Sequence, residues 1–121
     1  MDTVSVKYKE EQRKRKILLN ELEDLKGKVR VYCRIRPFTD KEKSDADKAQ
    51  SCCNIIDEVS LRVGTQKNRM KEYSFDSVFG EFSTQEDVFE DTKRLIQSAI
   101  DGFNVSIFAY GQTGSGKTWT I

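Results

Sequence analysis

The sequence predicts an α/β fold, and three consecutive stretches predict it. Ser83 to Gly102 has the composition and punctuation of a helix. Phe103 to Tyr110 is a run of strand-forming apolar residues, and Gly111 to Thr118 is a glycine-rich loop whose last residues open another helix. Helix, strand, loop and helix in that order are the local grammar of a right-handed α/β layer.

Residues 3–28 read as the first helix: rich in Lys, Glu, Arg, Gln and Leu, without proline, and ending at Gly27. Leu18, Leu22, Leu25 and Val29 follow spacings of four and three, and the register runs back through Arg15, Glu11, Tyr8 and Val4. That seam is apolar at both ends and charged in the middle, which makes a weak coiled coil. A lone amphipathic helix packed on the rest of the protein is the alternative. Arg13-Lys14-Arg15-Lys16 reads as a solvated face, or as a contact for an acidic partner surface.

Lys28 to Arg36 alternates, with Val29, Val31, Cys33 and Ile35 on one face and Arg30, Tyr32, Arg34 and Arg36 on the other. Period two predicts a strand, and Pro37 stops it. Phe38 to Ser51 is polar and of mixed charge, an exposed loop. Asn54 to Val63 and Glu72 to Phe75 read as short strands around a turn at residues 64–68, which suits a small hairpin lobe.

Ser83 and Glu86 form a capping box ahead of the next helix, with Val88, Thr92, Leu95, Ile96 and Ala99 on one side and Gly102 as C-cap. Val105 to Tyr110 is apolar on both faces. It therefore asks for a strand on each side, with Val29 to Arg36 as one plausible neighbour.

The loop itself, Gly111-Gln112-Thr113-Gly114-Ser115-Gly116-Lys117-Thr118, fits G-x-x-x-x-G-K-[ST], the phosphate-binding pattern of nucleotide triphosphatases. The glycines permit backbone conformations that a side chain forbids, and let N–H groups close on phosphate oxygens. A helix starting near Gly116 turns the free N–H groups of its first turn toward the same anion. Lys117 supplies a charge to the β- and γ-phosphates and Thr118 a hydroxyl ligand for Mg2+, which makes them the candidate catalytic residues. A flexible Gly/Ser-rich turn is the plain alternative, and the strand before and helix after argue against it.

Bulk properties exclude several classes. The 121 residues carry a net charge of +1, 34% charged side chains and a mean hydropathy of −0.67. A near-neutral chain is not a simple polyanion binder, so no nucleic-acid partner is expected. No apolar run is long enough to span a bilayer and the N-terminus lacks a signal-peptide core, so a soluble intracellular protein is expected. Cys33, Cys52 and Cys53 form no C-x-x-C pair and the chain has no histidine, so zinc is not expected and the thiols read as free. Asn104-Val105-Ser106 matches a glycosylation acceptor only by coincidence, since it opens the expected buried strand.

Three separated strings coincide in one family. Arg34-Ile35-Arg36-Pro37 lies on the first strand, Ser83-Thr84-Gln85-Glu86-Asp87-Val88-Phe89 opens a helix, and Phe108-Ala109-Tyr110 leads into the loop ending at Lys117-Thr118. Together they resemble the opening third of a kinesin motor domain, closely over residues 26–121. The resemblance implies a mixed central sheet flanked by helices, with residues 1–27 as a neck helix and residues 28–121 as the N-terminal part of the motor. It implies ATP with Mg2+ as ligands, Gly111 to Thr118 around the phosphates, and Arg34, Arg36 and Pro37 flanking the adenine. Trp119, just past the loop, offers a flat π face near the base.

The run Leu25-Lys26-Gly27-Lys28-Val29-Arg30-Val31-Tyr32-Cys33-Arg34 takes a helix straight into the first strand. It is similar to the neck–motor junction of the minus-end-directed kinesins that carry the motor C-terminally, though many of those have Gly-Asn where this chain has Gly27-Lys28. Tyr8-Lys9-Glu10-Glu11-Gln12 and Tyr32-Cys33-Arg34 are most similar to the calmodulin-binding branch, whose calmodulin segment follows the motor. The implied function is microtubule-stimulated ATP hydrolysis coupled to minus-end-directed movement, with a microtubule partner, a weak homodimer through the neck, and a place on the microtubule cytoskeleton of the cytoplasm. The family's γ-phosphate-sensing loop and D-x-x-G switch have no counterpart in residues 1–121, so alone these residues are expected to be poorly soluble or loosely folded, with no measurable ATPase and at best weak nucleotide binding. A truncated, non-motile protein acting only through its neck helix is the rival reading. A small-molecule kinase leaves the R-I-R-P and F-A-Y-G-Q-T strings unexplained.

Overall fold

The helix-favouring composition of the N-terminal segment produces one uninterrupted helix, α1 (Thr3–Leu25). Gly27 closes it at φ +96°, with its N–H donating to the Asp24 carbonyl at 3.1 Å. That left-handed conformation is open to glycine without steric cost. The computed structural model describes residues 3–45, 51–64 and 69–121.

Two compact units divide the chain, one made of the segment up to Val29 with Glu86–Phe108, the other of Arg30–Gln85 with Ala109–Ile121. In the first unit, α1 turns in Lys16, Leu19 and Asn20, all half-buried, and Glu23, which is buried. The leucine seam is open to solvent in the single chain: Leu18 is 64% and Leu25 88% exposed. Apart from Leu19 this inward stripe is polar, and a carboxylate lies beside it. Arg15 Nη2 and Lys16 Nζ lie 3.7 and 3.6 Å from Asp101 Oδ1, on a side chain only 3% exposed. Gln97 Nε2 donates to the same oxygen at 3.2 Å.

The second long helix, α3, spans Gln85–Ile100 and follows a short helix α2 (Asp40–Lys43) in the chain. It starts two residues after Ser83. Val88 and Ser98 are buried, with Thr92 and Leu95 half-buried between them. The stripe closes with a step of three, onto Ser98, so Ile96 and Ala99 are exposed. Gly102, at φ +104°, ends the helix as expected. Its N–H reaches the Ala99 carbonyl at 3.1 Å and that of Phe103 reaches Ser98 at 3.0 Å, which satisfies two carbonyls of the last turn.

Residues 103–110 form no strand, contrary to expectation, and Phe108 is 88% exposed. A strand apolar on both faces needs ladder partners on both sides. Among the described residues the expected neighbour, β1 (Tyr32–Arg34), is paired elsewhere. It runs parallel to β5 (Ser77–Phe79), with Cys33 opposite Val78. The alternating segment from Lys28 to Arg36 is longer than this strand because β5 offers only three partners. Beyond them the Val31 N–H turns to the Asp76 carboxylate at 2.8 Å. Tyr32 meets Phe79 edge to face, ring centres 6.3 Å apart.

The expected hairpin lobe is a three-stranded antiparallel sheet of β2 (Cys53–Ile55), β3 (Ser60–Gly64) and β4 (Met70–Ser74). The segment read as one strand, Asn54 to Val63, folds back at Asp57, whose Oδ1 accepts from the Val59 N–H at 2.9 Å. A short acid that mimics a backbone turn was the missed signal. The expected turn at residues 64–68 lies outside the described residues except for Gly64. Among the described residues of this unit the buried apolar ones are Leu61, at 3% exposure, and Phe79, at 9%.

The polar stretch after Pro37 holds the unexpected helix α2. Thr39 caps it and Glu42 returns the bond, with its Oε2 accepting from the Thr39 N–H at 2.7 Å. Thr-x-x-Glu is a capping-box spacing that the loop reading overlooked.

Candidate functional site: the phosphate loop

Gly111 to Thr118 folds into a tight loop that ends in α4 (Lys117–Thr120). Gly114 has φ +82° and Gly116, the N-cap of α4, φ +94°. An L side chain is strained at either position, so the two glycines are conformational requirements. At Gly111 the requirement is space: a Cβ there would collide with the Ser115 hydroxyl. The Ser115 N–H in turn donates to the Gln112 carbonyl at 3.1 Å.

Lys117 folds back across the loop. Its ammonium donates to the Gly111 carbonyl at 2.6 Å and to that of Gln112 at 2.9 Å. A cation is thus stationed within the curve of the loop, on the same side as its first carbonyls. Thr118 is exposed on the first turn of α4, and Trp119 is 78% exposed.

Two arginines from the first strand approach this loop. The aliphatic stem of Arg36 runs beside Gly116, with Cδ 3.8 Å from where a Cβ would stand. Its guanidinium forks onto Glu42, Nη1 to Oε2 at 2.9 Å and Nη2 to Oε1 at 2.8 Å, and also donates to the Pro37 carbonyl. That fork, with the Thr39 backbone and hydroxyl bonds, pulls the Glu42 carboxyl down to about 2 and raises Arg36. Arg34 Nη1 donates to Gln85 Oε1 at 2.6 Å and Thr120 Oγ1 at 3.2 Å, while Gln85 Nε2 donates to the Thr120 carbonyl at 2.8 Å. Both guanidiniums are engaged by protein groups.

Of the predicted site residues, the structure brings Arg34 and Arg36 to the loop and gathers Gly111, Ser115, Gly116 and Lys117 into it. Pro37, Gln112, Thr113, Gly114, Thr118 and Trp119 are exposed around it. Sequence reasoning missed Glu42, Gln85 and Thr120. Glu42 carried a signal in its spacing from Thr39, and Gln85 stood in the string that opens α3 without a site role.

A family model described as microtubule binding matches residues 8–121. The chain belongs to the kinesin family. Its relatives include Kinesin-like protein KIN-14E of Arabidopsis thaliana, 51% identical over 118 residues, which cover 98% of this chain and 9% of that protein. Kinesin-like protein KIN-14I of Oryza sativa subsp. japonica is 54% identical over 114 residues, 94% of this chain and 9% of that protein. Among solved structures, the "C-terminal motor and motor homology domain of Kar3Vik1 fused to a synthetic heterodimeric coiled coil" matches with a TM-score of 0.80 at 42% identity, over 92% of this chain and 31% of that one. This kinesin sequence therefore spans about a tenth of the length of those curated relatives, and its α/β fold is that of part of a kinesin motor.

The loop has a geometry that fits a nucleotide. Two left-handed glycines, a third held free of a Cβ by Ser115, and an ammonium folded over the loop suit the phosphates of ATP. Thr118 offers a single hydroxyl on the first turn of α4. Among the described residues no group of three His, Cys, Asp or Glu could hold a metal, so Mg2+ here would complete its shell with phosphate oxygens and water. Among the described residues no helix is long and apolar enough to cross a membrane.

Proposed function

We propose that this chain is the ATP-binding part of a microtubule-dependent kinesin motor, with residues 1–27 as its neck helix and residues 28–121 as the start of the motor domain. The observation that carries the reading is the loop from Gly111 to Thr118, with Gly116 at φ +94° and Lys117 closing over it. Backbone N–H groups and Lys117 hold the phosphates, and Thr118 contributes to Mg2+. ATP supplies the phosphoryl group whose loss drives movement; this chain binds and orients it. Arg34, Arg36 and Pro37 lie on the adenine side in this reading, with Trp119 as a stacking face.

The kinship with C-terminal motors supports minus-end-directed movement, and the microtubule-binding family supports a place on the cytoskeleton. Calorimetric titration of the full-length chain with MgATP, with and without microtubules, tests the proposal. No binding in either state overturns it.

A second reading rests on one observation, the open apolar seam of α1, where Leu18 is 64% and Leu22 43% exposed. In it the helix acts as a dimerisation module without motility. Self-association of a variant that no longer binds ATP favours this reading.

A further inference from the structure

Cys52 and Cys53 stand at the entry of the antiparallel sheet with their sulfurs 3.8 Å apart. Neighbouring residues of a regular strand send their side chains to opposite faces. Here Cys53 is the first residue of β2 and Cys52 sits in the bend before it, so the two thiols come together. Both backbones are tied down. The Cys52 carbonyl accepts from the Gly64 N–H at 2.8 Å, and Cys53 pairs with Val63. The Ser51 hydroxyl accepts from the Cys53 N–H at 3.2 Å and donates to its carbonyl at 3.1 Å. Cys52 is exposed and Cys53 half-buried. Burial, with the Cys52 thiol beside it, pushes the Cys53 thiol up to about 11.

Three chemistries compete for such a pair. A disulfide fits badly, because neighbouring Cα atoms lie about 3.8 Å apart across a trans peptide and disulfides usually span roughly 4.4–6.8 Å. A structural zinc ion takes four ligands, and among the described residues no group of three His, Cys, Asp or Glu could hold a metal. The third is a soft centre that asks for two sulfurs only. With bonds of about 2.3 Å, the length of a zinc–thiolate bond, one centre holds two sulfurs roughly 3.5–3.8 Å apart. The free thiols already stand at that spacing.

We propose that Cys52 and Cys53 form a dithiol site that chelates a trivalent organoarsenical. It shares no residue with the phosphate loop and does not depend on the nucleotide reading. With a ligand R–As=O, the exposed Cys52 adds first: an As–S bond forms and the thiol proton goes to the arsenic-bound oxygen. Cys53 then forms the second As–S bond, the As–OH bond breaks, and the Cys53 proton leaves with the hydroxyl as water. Arsenic stays trivalent and both sulfurs stay reduced, so no oxidant is consumed. The second bond closes within one molecule, so the pair should outbind either thiol alone by about 10²–10⁴-fold.

Phenylarsine oxide on the full-length chain tests this, with protection from iodoacetamide mapped thiol by thiol through peptide masses. In wild type, Cys52 and Cys53 should be protected together, and excess 2,3-dimercaptopropanol should reopen both. Cys33 should alkylate at the same rate with and without the arsenical. In Cys53→Ser, protecting Cys52 should take at least about a hundredfold more arsenical. Cys52→Ser, a change at an exposed position that leaves the sheet intact, should lose protection of Cys53 to the same degree. Equal protection of Cys52 in wild type and Cys53→Ser would mean capture by one thiol and would overturn the proposal. Protection of Cys33 with only one member of the pair would move the site and overturn it too, as would a wild type in which Cys52 stays open.

Discussion

Arg36 and Glu42 face each other through two parallel hydrogen bonds of 2.9 and 2.8 Å, a fork matched to a carboxylate, six residues apart and across a proline. The pair ties the exit of the first strand to α2 and leaves the stem of Arg36 lying along the phosphate loop. Its pH dependence follows from Glu42, whose folded value of about 2 lies below its ordinary 4.5. A depressed carboxyl contributes stability that is complete above the ordinary value and fades as pH falls through the folded one. The fork should therefore persist down to roughly pH 3 and open toward pH 2. A carbon-13 titration of the Glu42 carboxyl checks this; a midpoint near 4.5 would mean that the fork does not form in solution.

Lys117 is predicted to matter more than any other single side chain of the loop. Lys117→Ala should weaken nucleotide binding by at least about 1.5–3 kcal/mol, the worth of hydrogen bonds to a charged group. Thr118→Ala should leave nucleotide bound while reducing the Mg2+ dependence of binding. Titrations with and without Mg2+ separate the two, and wild-type behaviour in both variants would end the phosphate-loop assignment.

Trp119 presents an open face beside the loop. Trp119→Ala is predicted to cost ATP about 1–3 kcal/mol if the base stacks there. An unchanged ATP affinity in this variant would remove Trp119 from the site.

Gly102 holds the end of α3 at φ +104°. Gly102→Ala should destabilise the chain by about 1–2 kcal/mol, the cost of left-handed backbone for an L residue. Thermal unfolding reads the loss, and faster exchange of the Phe103 N–H locates it.

The middle of the α1 seam is predicted to decide its self-association. Glu11→Leu with Arg15→Leu should strengthen dimers in sedimentation. The same change removes one of the two cations on Asp101, so it should also loosen α1 within its own unit. A tight dimer of the unmodified α1 segment would refute the register.

Much of this was legible from residue types. Gly27 and Gly102 end their helices where expected, because a left-handed stop needs glycine. The loop from Gly111 to Thr118 was legible for the same reason, since each of its glycines answers a local steric demand. The strand expected at Val105 to Tyr110 was not decided locally: it depends on ladder partners, and β1 pairs with β5 instead. The face α1 turns inward was also hidden. Leucines at 18, 22 and 25 pointed to one side, but Asp101, far along the chain, draws Arg15 and Lys16 to another. Thr120 carried no pattern, because its bond to Arg34 joins residues 86 positions apart.

Arg34 and Thr120 are separated by 86 positions, and that interval sets an order in time. The antiparallel sheet of β2, β3 and β4 closes short intervals, and hairpins of that kind assemble in about 1–10 μs. Pairing of β1 with β5 must bridge the whole of that sheet, with Val31 and Asp76 45 positions apart, and non-local parallel pairing is slow. Arg34 reaches its place only with that pairing, and only then can it capture Thr120. The phosphate loop should therefore be the last part of its unit to gain protection in pulse-labelled refolding. A chain caught midway would carry its finished hairpins and a loop with no grip on a ligand.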